Sequence, residues 1–184
     1  MSETNVLRQE WRTPGDFYAV IEAEFHPQVD VAASAENTKC RMFYSEEVDA
    51  LGNWPWLGAT VVERDGKLVP EPIKVAWCNP GFNNMLPWLL KAREQADRYQ
   101  GTVLVLGLLA PSTDWWRKGA LLADEIRLVG GKRIQFDPAP GIPRSSNARE
   151  NALFIFRGRS TFRIQNPCPT HIWTWYWNEP RSGA

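Results

Sequence analysis

One junction restricts this chain more than any other. The apolar run Val75-Ala76-Trp77-Cys78 ends abruptly in Asn79-Pro80-Gly81-Phe82, and a helical pattern begins directly behind it. A buried strand that stops at a turn and feeds a helix is the unit of an α/β fold, in which ligands collect at the carboxyl ends of the strands. The tip brings together a side-chain amide, a proline-stiffened carbonyl and an aromatic ring. An amide oxygen accepts from an exocyclic amino group, and a ring stacks on a planar base. The set suits a flipped nucleobase whose amino group is the substrate. The competing account is an ordinary turn, since Asn-Pro-Gly is also a common turn string.

The rest of the chain alternates strand and helix patterns. Thr13 is placed to cap a helix with Pro14 in its first turn; Phe17, Val20, Ile21 and Phe25 form its apolar stripe, and His26-Pro27 stops it. Residues 29–33 read as a short buried strand and 34–38 as its following loop. A polar helix or loop over 39–51 then leads to a Trp-Pro-Trp turn. Residues 61–69, centred on Asp65-Gly66, read as a peripheral hairpin. Leu86, Leu89, Leu90 and Ala96 stripe a helix that Gln100-Gly101 closes. Residues 102–109 are the most apolar run and belong at the centre of the sheet. A helix starts near Thr113-Asp114. Residues 125–129 and 132–136 flank Gly130-Gly131 as a hairpin would, 138–149 form a Pro/Ser/Asn-rich loop, and 152–156 give another buried strand. The alternating tail 171–177 reads as an extra edge strand or an oligomer contact. The expected class is α/β: a mostly parallel sheet with an antiparallel end strand and helices on both faces. The expected organisation is one domain over 1–184, with a core of about 10–158 and an aromatic C-terminal extension over 159–184.

Charge limits how such a chain meets a polyanion. Twenty-one basic and 21 acidic residues cancel, so nucleic-acid binding requires a local patch rather than a global field. Lys132, Arg133, Arg144, Arg149, Arg157, Arg159 and Arg163 enrich the C-terminal third, either as phosphate contacts or as scattered solubility charge. Ser145, Ser146 and Asn147 lie in the 138–149 loop, which is expected to order on DNA. Cys40, Cys78 and Cys168 form no C-x-x-C pair and with two histidines complete no zinc pattern, so no metal is expected. Their odd number, the polar N-terminus and the lack of a membrane-length apolar run point to the cytoplasm. The ten tryptophans are assigned mostly to the core.

The order of motifs resembles that of the bacteriophage-type DNA N6-adenine methyltransferases. The resemblance runs over roughly residues 10–158. It rests on WRTP at 11–14, VDVAASAENTKC at 29–40, FYSEEVDAL at 43–51, WCNPGF at 77–82, LLAPSTDWW at 108–116 and RLVGGKRIQF at 127–136. It implies a Rossmann-like class I methyltransferase sheet that uses S-adenosylmethionine. The implied reaction is methyl transfer to the 6-amino group of adenine in double-stranded DNA, in the cytoplasm of a host cell if phage-encoded and in restriction–modification or outside it. The chain departs from the family at Gly81, where a second proline is usual. That leaves two other readings open: methyl transfer to another amino group, such as RNA adenine or protein glutamine, and a degenerate member that binds DNA without turnover.

The resemblance distributes roles residue by residue. Asn79, Pro80 and Phe82 match the catalytic motif that holds the flipped adenine. Asp30 closes a short strand where a carboxylate meets the methionine amino group of the cofactor, and Ala32-Ala33 stand where a glycine-rich loop is usual; a solvated strand end is the alternative for Asp30. Asp49 resembles the acidic residue near the cofactor's adenine, with a solvated acidic face as its alternative. Trp11, Thr13 and Pro14 resemble the N-terminal element that closes over the cofactor, and Asn79 is shared with that site. A monomer or weak homodimer is expected. The length leaves little room for a separate target-recognition domain, which favours a short palindromic recognition site.

Overall fold

The structure, a computed structural model, describes residues 12–138, 149–165 and 168–179. Trp11 and the Arg144–Asn147 stretch lie outside the described residues. In chain order the elements are α1 (Gly15–Phe25), β1 (Val29–Asp30), β2 (Met42–Phe43), β3 (Gly58–Arg64), β4 (Lys67–Ile73), β5 (Val75–Cys78), α2 (Met85–Tyr99), β6 (Thr102–Leu108), α3 (Asp114–Lys118), β7 (Glu125–Val129), β8 (Asn151–Arg157), α4 (Thr161–Gln165) and β9 (His171–Trp175). A short 3₁₀ turn covers Glu46–Val48.

Seven strands form one sheet in the order β2-β1-β5-β6-β8-β7-β9. All neighbours are parallel except the two pairings of β8, which runs antiparallel to both β6 and β7. The α/β class therefore holds, with one difference in detail. The antiparallel strand is interior rather than terminal, because the tail adds β9 outside β7.

Alternation along the strands builds a core on each face. Ala76, Cys78, Val103, Val105, Phe154 and Phe156 face α2, which answers with Met85, Leu89, Ala92 and Ala96. Trp77, Leu104, Leu106, Leu153 and Ile155 face α1, which answers with Phe17, Tyr18 and Ile21. Leu90, expected in the stripe of α2, is 45% exposed, and the buried line runs through Met85, Leu89 and Ala92 instead. Gly107 interrupts the apolar β6 for a packing reason: a Cβ there would come within 2.7 Å of Met85 Cε and 2.9 Å of Phe154.

The tail is tied into this architecture. Trp175 and Trp177 are buried with Phe17, at centroid distances of 5.7 and 5.1 Å. Arg127 joins the same corner. Its buried guanidinium pairs with Glu24 of α1 (2.6 Å) and Glu125 of β7 (2.7 Å) and lies over the rings of Phe25, Trp173 and Trp175. Full pairing is what makes a buried charge tolerable.

Three expected elements differ. Residues 132–136 form no strand: β7 already has β8 on one side and β9 on the other, so no ladder is open to them. The strand expected over 29–33 shortens to Val29–Asp30 because the backbone after Asp30 turns back onto its carboxylate. Thr13 caps nothing; Pro14 occupies the N-cap position, and the threonine hydroxyl has another partner. The β3–β4 hairpin is as expected, with Asp65 and Gly66 both at positive φ (51° and 72°), the two-residue turn that matches strand twist.

Candidate functional site

The carboxyl ends of β1 and β5 open into one cleft of about 600 Å³. Thr13, Asp30, Ala32, Ala33, Asp49, Asn79 and Pro80 all line it, although they come from four separate stretches of chain. The volume lies within the range of small-molecule sites.

The floor is set by the β1–β5 ladder. Asp30 and Trp77 are register partners, so their side chains share a face, and Val31 N donates to the Trp77 carbonyl at 2.9 Å. Asp30 is only 3% exposed. Its Oδ1 accepts from Ala32 N (3.3 Å) and its Oδ2 from Lys39 N (3.0 Å), so the loop wraps the carboxylate with backbone donors. Burial nevertheless dominates and pushes its pKa up to about 6, against the pull of those amides. On the neighbouring strand the indole Nε1 of Trp77, whose ring packs edge-to-face on Tyr18, is buried with no hydrogen-bond partner among the described residues. An unmade buried hydrogen bond costs on the order of 1–3 kcal/mol, so a site that keeps one invites an acceptor.

The wall over Asn79 comes from the segment preceding α1. Arg12 and Asp137 exchange both backbone hydrogen bonds (2.8 and 3.0 Å), and Tyr18 N donates to the Pro14 carbonyl (3.0 Å). Thr13, 3% exposed, is fixed between these anchors, and Asn79 Nδ2 donates to its Oγ1 at 3.0 Å. Pro14 does not line the cleft; it borders a smaller cavity of about 280 Å³ with Asp16, Lys132 and Trp177. Phe82 also stands outside the cleft lining. It is half-buried and packs edge-to-face on Phe136, with centroids 5.9 Å apart.

The far wall is the loop after β2. Asp49 is exposed, ends the 3₁₀ turn at φ 50° and lines the cleft. The loop behind it is clamped onto α2: Lys91 Nζ donates to the Gly52 carbonyl, Gln95 Oε1 accepts from Trp56 N (2.8 Å), and Trp56 Nε1 donates to the Ala50 carbonyl (2.8 Å). Cleft residues that the sequence reading did not single out include Glu36, Asn37, Tyr44, Glu46 and Trp88. The signal available was the polar loop following each short strand, where a strand-end site draws its lining.

The basic cluster of the C-terminal third is largely spoken for. Lys132 pairs with Asp16 (3.5 Å), Arg133 with Glu150 (2.6 Å), Arg157 with Glu125 (2.8 Å) and Arg159 with Asp97 (2.9 Å). A patch expected from positive charges alone is thus offset by carboxylates brought up from elsewhere in the chain. Among the described residues no group of three or more His, Cys, Asp or Glu could hold a metal ion, and no helix is long and apolar enough to cross a membrane.

Comparison with known proteins converges on one family. Residues 2–170 match the family model described as DNA N-6-adenine-methyltransferase (Dam). The chain is 25% identical over 168 residues to the DNA N-6-adenine-methyltransferase of Haemophilus phage HP1 (strain HP1c1), covering 88% of each chain. It is 30% identical over 157 residues to the DNA N-6-adenine-methyltransferase of Escherichia phage T1, covering 85% of this chain and 57% of the phage T1 protein.

Proposed function

This chain belongs to the DNA N-6-adenine-methyltransferase (Dam) family, and we propose that it transfers a methyl group from S-adenosylmethionine to the 6-amino group of adenine in DNA, acting as one domain in the cytoplasm with the target base turned out of the duplex. The observation that carries this reading is the meeting of Asp30 and the Asn79-Pro80 pair in one cleft, at the carboxyl ends of adjacent parallel strands. An acid for the donor and an acceptor set for the base stand side by side.

The residues fit the cofactor. Asp30 offers a buried carboxylate for the methionine ammonium group, and Ala32-Ala33 leave room for close approach. Glu46 and Asp49 face the same space with oxygen acceptors for sugar hydroxyls and the exocyclic amine of the cofactor's adenine. Bound there, S-adenosylmethionine supplies an electrophilic methyl group already activated by its sulfonium, so the protein needs no covalent nucleophile.

The protein's own task is the acceptor. The 6-amino nitrogen of adenine is a poor nucleophile because its lone pair is delocalised into the ring. Asn79 Oδ1 and the Pro80 carbonyl accept from its two N–H bonds and localise that lone pair on nitrogen. Phe82, backed by Phe136, stacks on the extruded base, which is out of reach inside a duplex. Catalysis then consists of positioning and preorganised dipoles. Mass spectrometry of nucleosides from DNA incubated with the protein and S-adenosylmethionine tests it. N6-methyl-2′-deoxyadenosine should accumulate; unmodified DNA, or methyl groups found on RNA or protein instead, overturns the assignment.

A further inference from the structure

We infer that Thr13 is a positioning residue for Asn79: it holds the amide by its nitrogen, so that Oδ1 is the atom presented to the acceptor amine. The inference rests on the function proposed above and extends it to a residue 66 positions away in sequence.

A side-chain amide is nearly symmetric in shape but not in chemistry. One end accepts and the other donates, and rotation of about 180° exchanges them. With nitrogen toward the base, Asn79 would meet an amino group donor to donor, and the lone pair would stay in the ring. The strand tip alone does not choose between the two orientations. Thr13 takes up the nitrogen end: Asn79 Nδ2 donates to Thr13 Oγ1 at 3.0 Å. This uses the nitrogen end and leaves Oδ1 facing the cleft that both residues line.

The support is itself rigid. Thr13 is 3% exposed and sits between the Arg12–Asp137 backbone bridge and Pro14, whose carbonyl accepts from Tyr18 N as α1 begins. Phe17, one turn on, is fully buried against Trp175 and Trp177. The hydroxyl position is therefore determined by the packing of α1 rather than by a free loop, as a group that must orient another to within a few tenths of an ångström requires. The same contact explains why Thr13 caps nothing: Pro14 holds the N-cap position and the threonine hydroxyl is taken by Asn79.

Five proteins test this: wild type, Thr13→Val, Thr13→Ser, Asn79→Asp, and Asn79→Asp combined with Thr13→Val. Steady-state kinetics on DNA and calorimetry with S-adenosylmethionine are read together. Thr13→Val removes the acceptor at constant volume and should lower kcat about tenfold, the scale of one hydrogen bond, with cofactor affinity within about twofold of wild type. Thr13→Ser should restore most of the turnover. In the Asn79→Asp background the same valine should cost less than about threefold, because a carboxylate has two equivalent oxygens and no wrong orientation. An equal loss in both backgrounds, no loss at all, or a fall in cofactor affinity matching the fall in rate would overturn the positioning role. A second measurement does not depend on activity. The Asn79 side-chain amide protons, assigned in ¹⁵N-labelled protein by their absence from Asn79→Asp, should be protected from exchange in wild type and in Thr13→Ser; unprotected protons overturn the inference. A folded wild type that methylates no DNA would refute the functional reading itself, a result distinct from an active enzyme indifferent to Thr13.

Discussion

Asp30 and Trp77 face one another across the β1–β5 ladder, the first a buried acid held by two backbone amides, the second a buried indole whose N–H has no partner among the described residues. The buried carboxylate lines the cleft and offers an acceptor for an ammonium group. Two residues beyond Trp77, just past the carboxyl end of β5, stands Asn79. Donor and acceptor substrates are thus addressed from one strand and its neighbour, and the distance between the two tasks is set by β-sheet spacing rather than by loop conformation.

The first prediction concerns the ionisation of Asp30. Its folded pKa, about 6, lies above the unfolded value near 3.8. A raised acid is more protonated when folded, so its contribution to stability falls as pH rises from about 4 to 6, by roughly 3 kcal/mol at most. Recognition of an ammonium group has the opposite trend, because it needs the carboxylate. Cofactor affinity measured by calorimetry should rise between pH 5 and 7 and then level off. Asp30→Asn should bind about 10- to 100-fold more weakly at pH 7, the scale of a charge-assisted hydrogen bond, and lose that pH dependence. Affinity unchanged by the substitution would remove Asp30 from the cofactor site.

The second prediction separates binding from chemistry. Asn79→Ala should nearly abolish methyl transfer and leave cofactor affinity almost intact, since its oxygen acts on the acceptor base. Phe82→Ala should weaken capture of the base by ~1–3 kcal/mol and raise KM for DNA. Near-normal turnover by Asn79→Ala would make the strand tip a structural turn.

How much of this was legible beforehand depends on the range of each interaction. The strand tip at Asn79 was readable because an apolar run, a turn string and a helical stripe are adjacent in sequence. Asp30 was readable as a strand-end acid even though its strand is two residues long, since the residue type and the following small residues are local. Thr13 was misread as a helix cap because its real partner is Asn79, and no local pattern encodes a contact of that separation. Residues 132–136 alternate as a strand does, with Ile134 and Phe136 buried, yet the tail competes for the same edge of β7 and takes it. The basic residues 132, 133, 157 and 159 looked like a patch because their carboxylate partners lie 17 to 116 positions away: Glu150 from Arg133, and Asp16 from Lys132.

The third prediction addresses the tail. Trp175 is 4% exposed, sits 5.7 Å from Phe17 and carries the Arg127 guanidinium over its ring at 5.3 Å. Trp175→Ala should cost about 3–5 kcal/mol in chemical denaturation, as large aromatic deletions from a core do. It should also weaken activity at moderate temperature, because α1 supports Thr13. A loss below about 1 kcal/mol would mean that β9 is an accessory strand that the core does not need.

The last prediction returns to Gly81, where the family usually carries proline. Gly81 is exposed and is not among the glycines at positive φ, which are Gly58, Gly66 and Gly131. The strongest reason for a glycine, a left-handed backbone, is therefore absent, and the preceding Pro80 is buried and already stiffens the loop. Gly81→Pro should fold, bind S-adenosylmethionine as wild type does and keep its turnover on DNA. It should also gain ~0.4–1 kcal/mol of stability, since proline restricts the unfolded chain at a compatible site. Thermal unfolding and steady-state kinetics on adenine-containing DNA check this in one preparation. If folding and cofactor binding survived while turnover collapsed, the backbone N–H that proline deletes would be the donor at issue, pointing to an acceptor atom on the substrate. An adenine edge presents such an atom at N1 beside the 6-amino group, and a protein glutamine presents one at its carbonyl. The relative rates on DNA and on a glutamine peptide would then say which of them this glycine serves.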